Sequence, residues 1–398
     1  MLKGKKVVVA VTGSIAAYKA ALIVRQLIKA GAEVKVVMTA SAHDFITPLT
    51  LSTLSKNPVF SEFTSSKEEG TWNNHVDLGL WADLMLVAPA TANSLSKMAS
   101  GESDNFMMAV YLSAKCPVYI APAMDLDMYK HPTTKENLEK LVSFGNVIIY
   151  PGTGELASGL EGEGRLAEPE DIIQFIEQDL QSKQPLFGKK ILITAGPTHE
   201  ALDPVRYLGN RSTGKMGFAL AEKASEMGAE VTLISGPVSL STPNSSIQRI
   251  DIQSAQELFE SVKQEFDSQD IVIMAAAVAD YTPLTFSDSK IKKKEGDLSI
   301  PLKRTQDILA YLGQHKTKQI LIGFALETDN EVENATSKIE RKKLDFIVLN
   351  SLKDKGAGFA GDTNKVTLID KYNNCFNFEL KSKSEVALDI LTHLTQHY

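Results

Sequence analysis

Hydrophobic residues along this chain fall in short continuous runs separated by amphipathic stretches. Residues 6–39 read as a strand, a tight glycine turn, a helix, a glycine stop and a second strand. The run Val7–Val11 is uninterrupted, as expected for a parallel strand buried on both faces. Ser14 can cap the helix and Gly31 can end it. The opening therefore predicts a strand–helix–strand unit of a parallel sheet.

The same pattern returns at residues 190–235, and the four letters GAEV recur at Gly31–Val34 and Gly228–Val231. Two such openings predict two doubly wound α/β domains. Further buried strands are predicted at residues 83–90, 116–124, 146–150, 270–280, 319–325, 345–350 and 365–370.

A polar stretch at residues 178–190 contains Pro185 and Gly188 and is typical of a linker. The prediction is a first domain over residues 1–180, a linker over 181–189 and a second domain over 190–398.

Composition and charge narrow the class of protein. The 398 residues are 43% hydrophobic and 23% charged, with a net charge of -7. An acidic chain argues against a general nucleic-acid binder and against attraction to anionic membranes. The two cysteines, Cys116 and Cys375, exclude a disulfide framework and a thiolate-rich metal site. No signal peptide or transmembrane stretch is recognisable, so the cytoplasm is predicted.

Small polar residues follow the predicted strands of the first domain. Gly13 and Ser14 follow the first strand, Thr39 and Ser41 follow the second, and Thr91 and Asn93 follow the third. Because ligands of open α/β sheets bind at the carboxyl ends of the strands, these residues predict a site for a phosphate-bearing ligand. Each of these residues, considered alone, is also common in the loops of α/β domains. Neither domain has the G-x-G-x-x-G dinucleotide fingerprint.

Residues 75–105 and 121–129 resemble the flavin-dependent cysteine decarboxylases. The resemblance implies a flavodoxin-like flavoprotein domain in which FMN is held by the six small polar residues named above. It implies that His75, which opens the first block, is catalytic; a lone histidine is otherwise more often structural. In that family the cysteine side chain is oxidised, CO2 leaves from the resulting thioaldehyde, and a proton donor completes the saturated product.

Two residues depart from that family's pattern. Asp125 stands where the family has a carboxylate-binding asparagine, and Ser158 stands where the family has a proton-donating cysteine. Ser158 lies in the glycine-rich stretch 154–169, which resembles the substrate clamp of the family and is predicted to hold no regular helix or strand. We expect Asp125 and Ser158, with His75, to be the catalytic residues of the first domain.

Residues 194–217 of the second domain resemble the ligase that joins phosphopantothenate to cysteine. The pattern G-P-T-x-E-x-x-D-P-V-R is complete from Gly196 to Arg206. The resemblance implies that Asn210 orients an acyl-nucleotidyl intermediate and that Arg206 faces the anion of the substrate, although Arg206 alone would read as a surface ion pair. Gly209–Lys215 matches the spacing of a P-loop, but Met216 replaces its Ser/Thr and the preceding strand ends too early, so the P-loop interpretation is rejected.

Further segments fit a nucleoside triphosphate. Asp280 follows a buried strand, a cluster of lysines occupies residues 290–294, and two lysines four residues apart share a helix face. Alternatively, the lysine cluster is a solvated turn, and the two lysines on the helix face complement the negative charge at a helix C-terminus. These positions predict that Asp280, Lys338 and Lys342 contact the nucleotide, and the resemblance implies that CTP also contacts Lys290, Gln306, Asp307, Ile308, Leu309 and Phe324. The lysine loop also contains Lys292, Lys293 and Lys294. Mg2+ is expected on the nucleotide phosphates, with unknown protein ligands.

The resemblance covers almost the whole chain, and the domain order is that of the bacterial bifunctional enzymes of coenzyme A biosynthesis. It implies 4′-phosphopantothenate, cysteine and CTP as substrates. It also implies a homo-oligomer with trimeric decarboxylase contacts and dimeric ligase contacts, and no nucleic-acid or membrane partner. One alternative is a ligase with a degenerate flavin domain, which Asp125 and Ser158 favour. Another is a non-enzymatic flavoprotein regulator, which the complete ligase motif opposes.

Overall fold

The computed structural model describes residues 1–66, 70–242, 244–292, 298–327, 330–351 and 361–396. The chain divides into two compact units, Met1–Gln181 and Ser182–Tyr398. Each unit is a sheet with helices on both faces. The division falls within a helix that occupies the first two residues of the predicted linker.

The first unit begins with the predicted strand–helix–strand segment. Its strands are β1 (Lys6–Val11), β2 (Glu33–Met38), β3 (Val59–Phe60), β4 (Thr64–Ser66), β5 (Thr71–Trp72), β6 (Leu84–Ala90), β7 (Val118–Pro122), β8 (Val147–Ile148), β9 (Gly152–Glu155) and β10 (Glu161–Arg165). Its helices are α1 (Lys19–Lys29), α2 (Pro48–Ser55), α3 (His75–Trp81), α4 (Ala92–Ser100), α5 (Phe106–Ser113), α6 (Leu126–Lys130), α7 (Pro132–Ser143) and α8 (Pro169–Ser182), with 3-10 turns at Ile15–Tyr18 and Ala40–Asp44.

The main sheet of this unit is parallel, in the order β3-β2-β1-β6-β7-β8. Without the two-residue edge strand β3, this is the flavodoxin-like order 2-1-3-4-5. Strand β6 is buried at every position, as its uninterrupted apolar sequence predicts. Ser14 caps the first turn, and Gly31 lies just beyond α1 at φ 85°. Both predicted roles are confirmed.

The glycine-rich stretch corrects the sequence prediction, because it contains regular strands. Strands β9 and β10 form an antiparallel hairpin, with an irregular register between Glu163 and Arg165. A two-stranded hairpin needs only backbone hydrogen bonds, which glycine provides as well as any other residue. Gly164, at φ 132°, lies at this irregularity, where a Cβ would collide with the carbonyl oxygen of Met124. The glycines therefore allow close approach of two backbones instead of preventing structure.

The second unit repeats the plan with more strands. They are β11 (Lys190–Ala195), β12 (His199–Ala201), β13 (Tyr207–Gly209), β14 (Glu230–Ser235), β15 (Gln248–Asp251), β16 (Ile271–Met274), β17 (Tyr281–Pro283), β18 (Leu302–Arg304), β19 (Ile320–Glu327), β20 (Phe346–Ser351), β21 (Thr363–Asn364), β22 (Val366–Asp370), β23 (Cys375–Asn377) and β24 (Lys381–Ser382). Its helices are α9 (Lys215–Glu226), α10 (Ala255–Phe266), α11 (Ile308–His315), α12 (Glu331–Lys342) and α13 (Lys383–Thr395).

The eight-stranded sheet has the order β15-β14-β11-β16-β19-β20-β22-β23. The pairs from β15 to β20 are parallel, and β22 and β23 add antiparallel edges. Helices α9 and α13 pack on one face, and α10, α11 and α12 pack on the other. The strand order reverses between β11 and β16, which is where ligands of such sheets bind.

Candidate active sites

The predicted flavin residues of the first unit follow adjacent strands at one edge of the sheet. Thr12 at the end of β1 connects to the end of β6, since its Oγ1 donates to the carbonyl of Pro89 at 2.7 Å and accepts from Thr91 N–H at 3.1 Å. Thr91 also caps α4 by accepting from Ser94 N–H. These bonds fix the two loops that flank the point where the strand order reverses.

The turn after β1 leaves no room for a side chain. A Cβ on Gly13 would lie 2.5 Å from Oγ of Ser41, and Thr39 and Ser41 have their hydroxyl oxygens 3.3 Å apart. The structure thus brings Gly13, Thr39 and Ser41 together, with Ser14 next to them as the cap of the first helical turn. Hydroxyls and backbone N–H groups clustered in this way suit a phosphate or another anion.

His75 is the first residue of α3, which Asn74 caps by accepting from Val76 and Asp77 N–H. The imidazole lies edge-on to two aromatic rings, with centroid distances of 5.8 Å to Phe63 and 5.9 Å to Trp72. Within the part of the chain that the structure describes, Nδ1 of His75 is buried and has no hydrogen-bond partner. A buried polar atom without a partner is costly, so this nitrogen suits a contact with a bound molecule.

Asp125 lies beneath the β9–β10 hairpin. Met124 N–H donates to the carbonyl of Gly164 at 3.0 Å, and a Cβ on Gly162 would lie 2.6 Å from Cδ1 of Leu126. The hairpin therefore packs directly on residues 124–126. Asp125 occupies the N-cap position of α6, but its carboxylate makes no capping hydrogen bond to that helix.

Ser158 lies at the exposed tip of the same hairpin, in a turn closed by Leu156 N–H donating to the Leu160 carbonyl at 2.8 Å. Three glutamates, Glu155, Glu161 and Glu163, lie on the two strands. The cation of the hairpin, Arg165, pairs with Glu168 at 3.1 Å. The hairpin is thus strongly acidic.

In the second unit, the predicted nucleotide and intermediate residues line one cavity of about 740 Å³, a size typical of small-molecule sites. All of the predicted residues except Arg206 and Lys290 contribute to its wall. The predicted residues in the wall are Asn210, Asp280, Gln306, Asp307, Ile308, Leu309, Phe324, Lys338 and Lys342.

The side-chain amide of Asn210 is hydrogen-bonded to the loop after β16. Its Nδ2 donates to the carbonyls of Ala277 and Val278, at 3.1 and 3.0 Å. Because both amide hydrogens are engaged, the side chain offers its carbonyl oxygen, an acceptor, to a ligand.

At the α11–α12 face, Lys342 Nζ lies 2.9 Å from the carboxylate of Asp307, which also caps α11 through Ala310 N–H. Burial alone would raise the pKa of Asp307, but the hydrogen bonds from Lys342 and Ala310 and the charges of Lys342 and Arg341 bring it below its ordinary value. Lys342 is 17% exposed and held in one direction by this pair.

Arg206 forms an ion pair within the second unit. Its guanidinium binds the fully buried carboxylate of Asp203 and donates to the carbonyl of Ile291 at 2.7 Å. Lys290 precedes that contact in the chain and is exposed. A direct role for either residue at a ligand stays a prediction. Lys293 and Lys294 lie outside the described residues.

Sequence reasoning missed Lys215, Arg304, Asn350, Asn364 and Lys383, which also line the cavity. Lys215 was visible only within the rejected P-loop match. Lys383 begins the last helix, and no local pattern connects it to the ligase motif. Among the described residues, no group of three or more His, Cys, Asp or Glu side chains could hold a metal ion. No described helix is long and apolar enough to cross a membrane.

This chain is similar to known proteins over both of its units. The flavoprotein family profile matches residues 1–181, and the profile of the DNA/pantothenate metabolism flavoprotein C-terminal domain matches residues 186–398. The coenzyme A biosynthesis bifunctional protein CoaBC of Bacillus subtilis (strain 168) is 46% identical over 99% of this chain and 97% of its own length. The chain belongs to this bifunctional flavoprotein family.

Two further similarities accompany this match. A protein from an unknown prokaryotic organism, named cysteine/cysteine sulfinic acid decarboxylase, is 57% identical over 87% of this chain and 98% of its own length. The crystal structure of the C-terminal domain of a coenzyme A biosynthesis bifunctional protein CoaBC is 43% identical with a TM-score of 0.47, and the alignment covers 54% of this chain and 98% of that one.

Proposed function

We propose that this protein carries out two consecutive steps of coenzyme A biosynthesis. The second unit joins cysteine to 4′-phosphopantothenate with CTP, through an acyl-cytidylate, and the first unit decarboxylates the product to 4′-phosphopantetheine. The observation that carries the proposal is that ligase residues predicted from separate segments line one cavity. This occurs in a chain that matches a bifunctional relative over 99% of its length. The product of the second unit is the substrate of the first.

In the ligase reaction, we assign CTP to the wall formed by Asp280, Phe324, Lys338 and Lys342. The two lysines counter the charge of the nucleotide, and Phe324 borders the base. Asn210 holds the intermediate by accepting a hydrogen bond at its free carbonyl oxygen while cysteine's amine attacks the activated carboxylate.

Mg2+ is proposed as a ligand of the CTP phosphates. Within the described residues the protein provides no cluster of three acidic or histidine ligands. Mg2+ commonly keeps several waters and is held by substrate phosphates with one or two carboxylates. Asp280 lines the cavity and is the carboxylate we assign to this position.

FMN is proposed for the first unit, because the crowded turn at Gly13 and the hydroxyls of Ser14, Thr39, Ser41 and Thr91 fit a phosphate-bearing cofactor. Bound FMN would supply the two-electron oxidation of the substrate's thiol-bearing carbon. Asn93 adds an amide at the start of α4. His75 would move a proton at its buried Nδ1, which has no hydrogen-bond partner among the described residues. Ser158, carried by the hairpin, would donate the last proton.

A ligase with an inactive flavin domain is not favoured. Relatives named as bifunctional match both units of this chain, and the polar residues at the carboxyl edge of the first sheet are complete. Asp125 stands at a substrate-binding position and Ser158 stands at the position of the proton donor. Neither is one of the residues proposed to hold FMN.

A second candidate function for the first unit is decarboxylation of a free amino acid. Asp125, whose carboxylate does not cap α6, and the acidic hairpin would attract an α-ammonium group, which phosphopantothenoylcysteine lacks. The 57% identical relative carries the name of such a decarboxylase. Cysteine has the thiol that flavin oxidation requires, whereas cysteine sulfinate does not, so cysteine is the substrate of this candidate.

We also propose a cytoplasmic homo-oligomer, with trimeric contacts of the first domain and dimeric contacts of the second. The two cysteines are unpaired, as expected in a reducing compartment. Phe63 and Trp72 beside His75 are 38% and 58% exposed in the single chain, which suits coverage by a second copy.

The test is to supply the purified protein with 4′-phosphopantothenate, cysteine, CTP and Mg2+ and to weigh the products. The proposal predicts 4′-phosphopantothenoylcysteine followed by loss of CO2. A parallel reaction supplies phosphopantothenoylcysteine without nucleotide, and a third supplies cysteine or cysteine sulfinate. Turnover of cysteine alone, with phosphopantothenoylcysteine unchanged, would favour the second candidate. An absence of nucleotide-dependent ligation would contradict the ligase assignment.

A further inference from the structure

Lys19 is a buried cation at the start of the helix that follows the predicted flavin turn. It is the first residue of α1, and Ser14 caps the 3-10 turn that leads directly into that helix. Its side chain is only 5% exposed. Burying an ammonium group costs free energy, and the N-terminus of a helix disfavours a positive charge. Local packing and helix stability therefore do not explain a lysine here, whereas its contacts do.

The ammonium group of Lys19 holds the end of the β9–β10 hairpin. Its Nζ donates to the carbonyl of Leu166 at 2.9 Å and to Oε1 of Glu168, also at 2.9 Å. Leu166 directly follows β10 and is buried in the core of the first unit, and Glu168 directly precedes α8. Lys19 thus joins the start of α1 to the end of the hairpin and to the start of α8. An apolar side chain would fill the same space without binding a carbonyl or a carboxylate.

Glu168 is also bound by a cation of the hairpin itself. Nη2 of Arg165, the last residue of β10, donates to the same Oε1 at 3.1 Å. The hydrogen bond from Lys19, with the charges of Lys19 and Arg165 and the bond from Arg165, brings the pKa of Glu168 below its ordinary value, although burial acts in the opposite direction. Glu168 is therefore ionised at neutral pH, and the three side chains form a charge-assisted network.

The hairpin needs such an attachment because little of it is buried. Of residues 152–165, only Gly164 is buried. A two-stranded hairpin is at best marginally stable alone in water. Contacts with residues 124–126, which include Met124 N–H donating to the Gly164 carbonyl at 3.0 Å, attach it near Asp125. Lys19 attaches its end to α1. The position of Ser158, at the exposed tip, depends on these attachments.

We propose that Lys19 is a positioning residue of the first unit, which attaches the hairpin to the helix beside the flavin turn and thereby sets the position of Ser158. This role rests on the proposed decarboxylase function, in which Ser158 donates the last proton. Lys19 acts through the hairpin, and none of the residues proposed to hold FMN belongs to its network. Loss of its ammonium group should therefore disturb the protonation step more than the oxidation of the substrate.

The experiment compares Lys19→Met and Glu168→Gln with a matched control, Lys29→Met. Methionine keeps the length and apolar stem of lysine but removes its charge and its donors. Lys29 is the exposed last residue of the same helix. Hydrogen–deuterium exchange is measured over residues 152–165 and over β6 in each full-length protein purified with its flavin. Flavin content is read from the visible absorbance. Phosphopantothenoylcysteine and cysteine are then supplied separately, and the products are weighed.

We expect the hairpin amides, including the Leu156 N–H that donates to the Leu160 carbonyl, to exchange about tenfold to a hundredfold faster in Lys19→Met, the usual worth of hydrogen bonds to a charged group. Exchange of β6 and the flavin content should stay within about twofold. The share of product that has lost CO2 and two hydrogens should rise relative to product that has lost CO2 alone. Lys29→Met should match the wild type.

Glu168→Gln is the second variant, because the side chain of Glu168 is 48% exposed and the substitution keeps its shape. It should show the same pattern with a smaller change, about tenfold or less, since the bond from Lys19 to Leu166 remains. This variant tests the network even if Lys19→Met folds poorly.

Unchanged exchange of the hairpin in both variants would overturn the proposal. Faster exchange throughout the unit, with β6 included, would show a general structural role and would also overturn it. Faster hairpin exchange with an unchanged product ratio would show that the attachment does not position the proton donor, which contradicts the proposal as well. Faster exchange confined to the hairpin, in a protein whose wild type decarboxylates neither compound, would support the attachment and contradict the proposed decarboxylase.

Discussion

The carboxylate of Asp203 binds the guanidinium of Arg206 through both Nε and Nη2, at 3.0 and 2.6 Å. The same carboxylate accepts from the N–H groups of Val205, Arg206 and Ile291, at distances of 2.9 to 3.1 Å. Arg206 in turn donates to the Ile291 carbonyl. This pair therefore ties the turn between β12 and β13 to the main chain immediately after Lys290.

Asp203→Asn should weaken the use of CTP through Lys290. The substitution keeps the shape of the side chain but removes the charge that holds Arg206 and the Ile291 N–H. We expect the KM for CTP to rise, by up to about a hundredfold, because displacements of about 1 Å at a site can cost that much. In a Lys290→Gln background the same change should add little, since both act through one contact.

Asp251→Asn is the matched control for this cycle. Asp251 pairs with Arg249 at 2.7 Å on the surface, and its side chain is 67% exposed. Its removal should leave the KM for CTP unchanged. Fully additive effects of Asp203→Asn and Lys290→Gln would show that the pair does not position Lys290.

The stabilisation from Asp203 should depend on pH in acid. Hydrogen bonds, first from Arg206 and then from backbone N–H groups, hold the pKa of Asp203 well below its ordinary value of 3.8. A carboxyl with a lowered folded-state pKa contributes stability that is complete above its unfolded pKa and is lost as pH falls through the folded one. The difference in unfolding free energy between wild type and Asp203→Asn should be constant above about pH 5 and narrow below about pH 4. Urea titrations at several pH values measure it, and a gap that widens in acid would contradict the assignment.

Lys342→Gln should weaken the use of CTP and leave the use of 4′-phosphopantothenate unchanged. The change removes one of the two lysines of α12 from the cavity wall, so the KM for CTP should rise by about tenfold with an unchanged KM for 4′-phosphopantothenate. Lys316→Gln serves as the control, because Lys316 pairs with Asp345 at 2.6 Å and does not line the cavity. Equal rises in both KM values for Lys342→Gln would argue for a structural role instead.

Gly13→Ala should reduce flavin binding. An added Cβ would lie 2.5 Å from Oγ and 2.7 Å from Cβ of Ser41, so the turn after β1 must move. The flavin content of the purified protein, read from its visible absorbance, should fall at least about tenfold. Ligation by the second unit should persist and serves as the internal control for folding. A variant with full flavin content would place the cofactor away from this turn.

Ser158→Cys should complete the proton transfer more efficiently. A thiol with an ordinary pKa near 8.5 is a far stronger acid than an aliphatic alcohol. With phosphopantothenoylcysteine as substrate, product mass should shift from loss of CO2 and two hydrogens toward loss of CO2 alone. If wild type already gives only the saturated product, Ser158 or another group is a sufficient donor and the substitution should change nothing. Asp125→Asn, tested beside it, should raise activity on phosphopantothenoylcysteine and lower any activity on free cysteine.

The fold was largely predictable from sequence because its main strands are continuous apolar runs. The runs at residues 83–90, 319–325 and 345–350 correspond to β6, β19 and β20. Capping by Ser14 and the stop at Gly31 were equally local, since each depends on a few neighbouring residues. The hairpin at residues 152–165 was wrongly predicted as irregular, because backbone pairing and close contact with Met124 do not depend on side-chain pattern.

The amino-acid sequence by itself determined the two α/β units and the residue types of both sites, since runs and motifs are local properties. Only the tertiary structure brought Lys215 and Lys383 into the wall of one cavity and engaged Arg206 with Asp203 and Ile291. Those relationships depend on which helix packs on which face of the sheet and on which loops meet at its carboxyl edge. Strand order and long-range packing decide them, because the residues concerned are far apart in the chain.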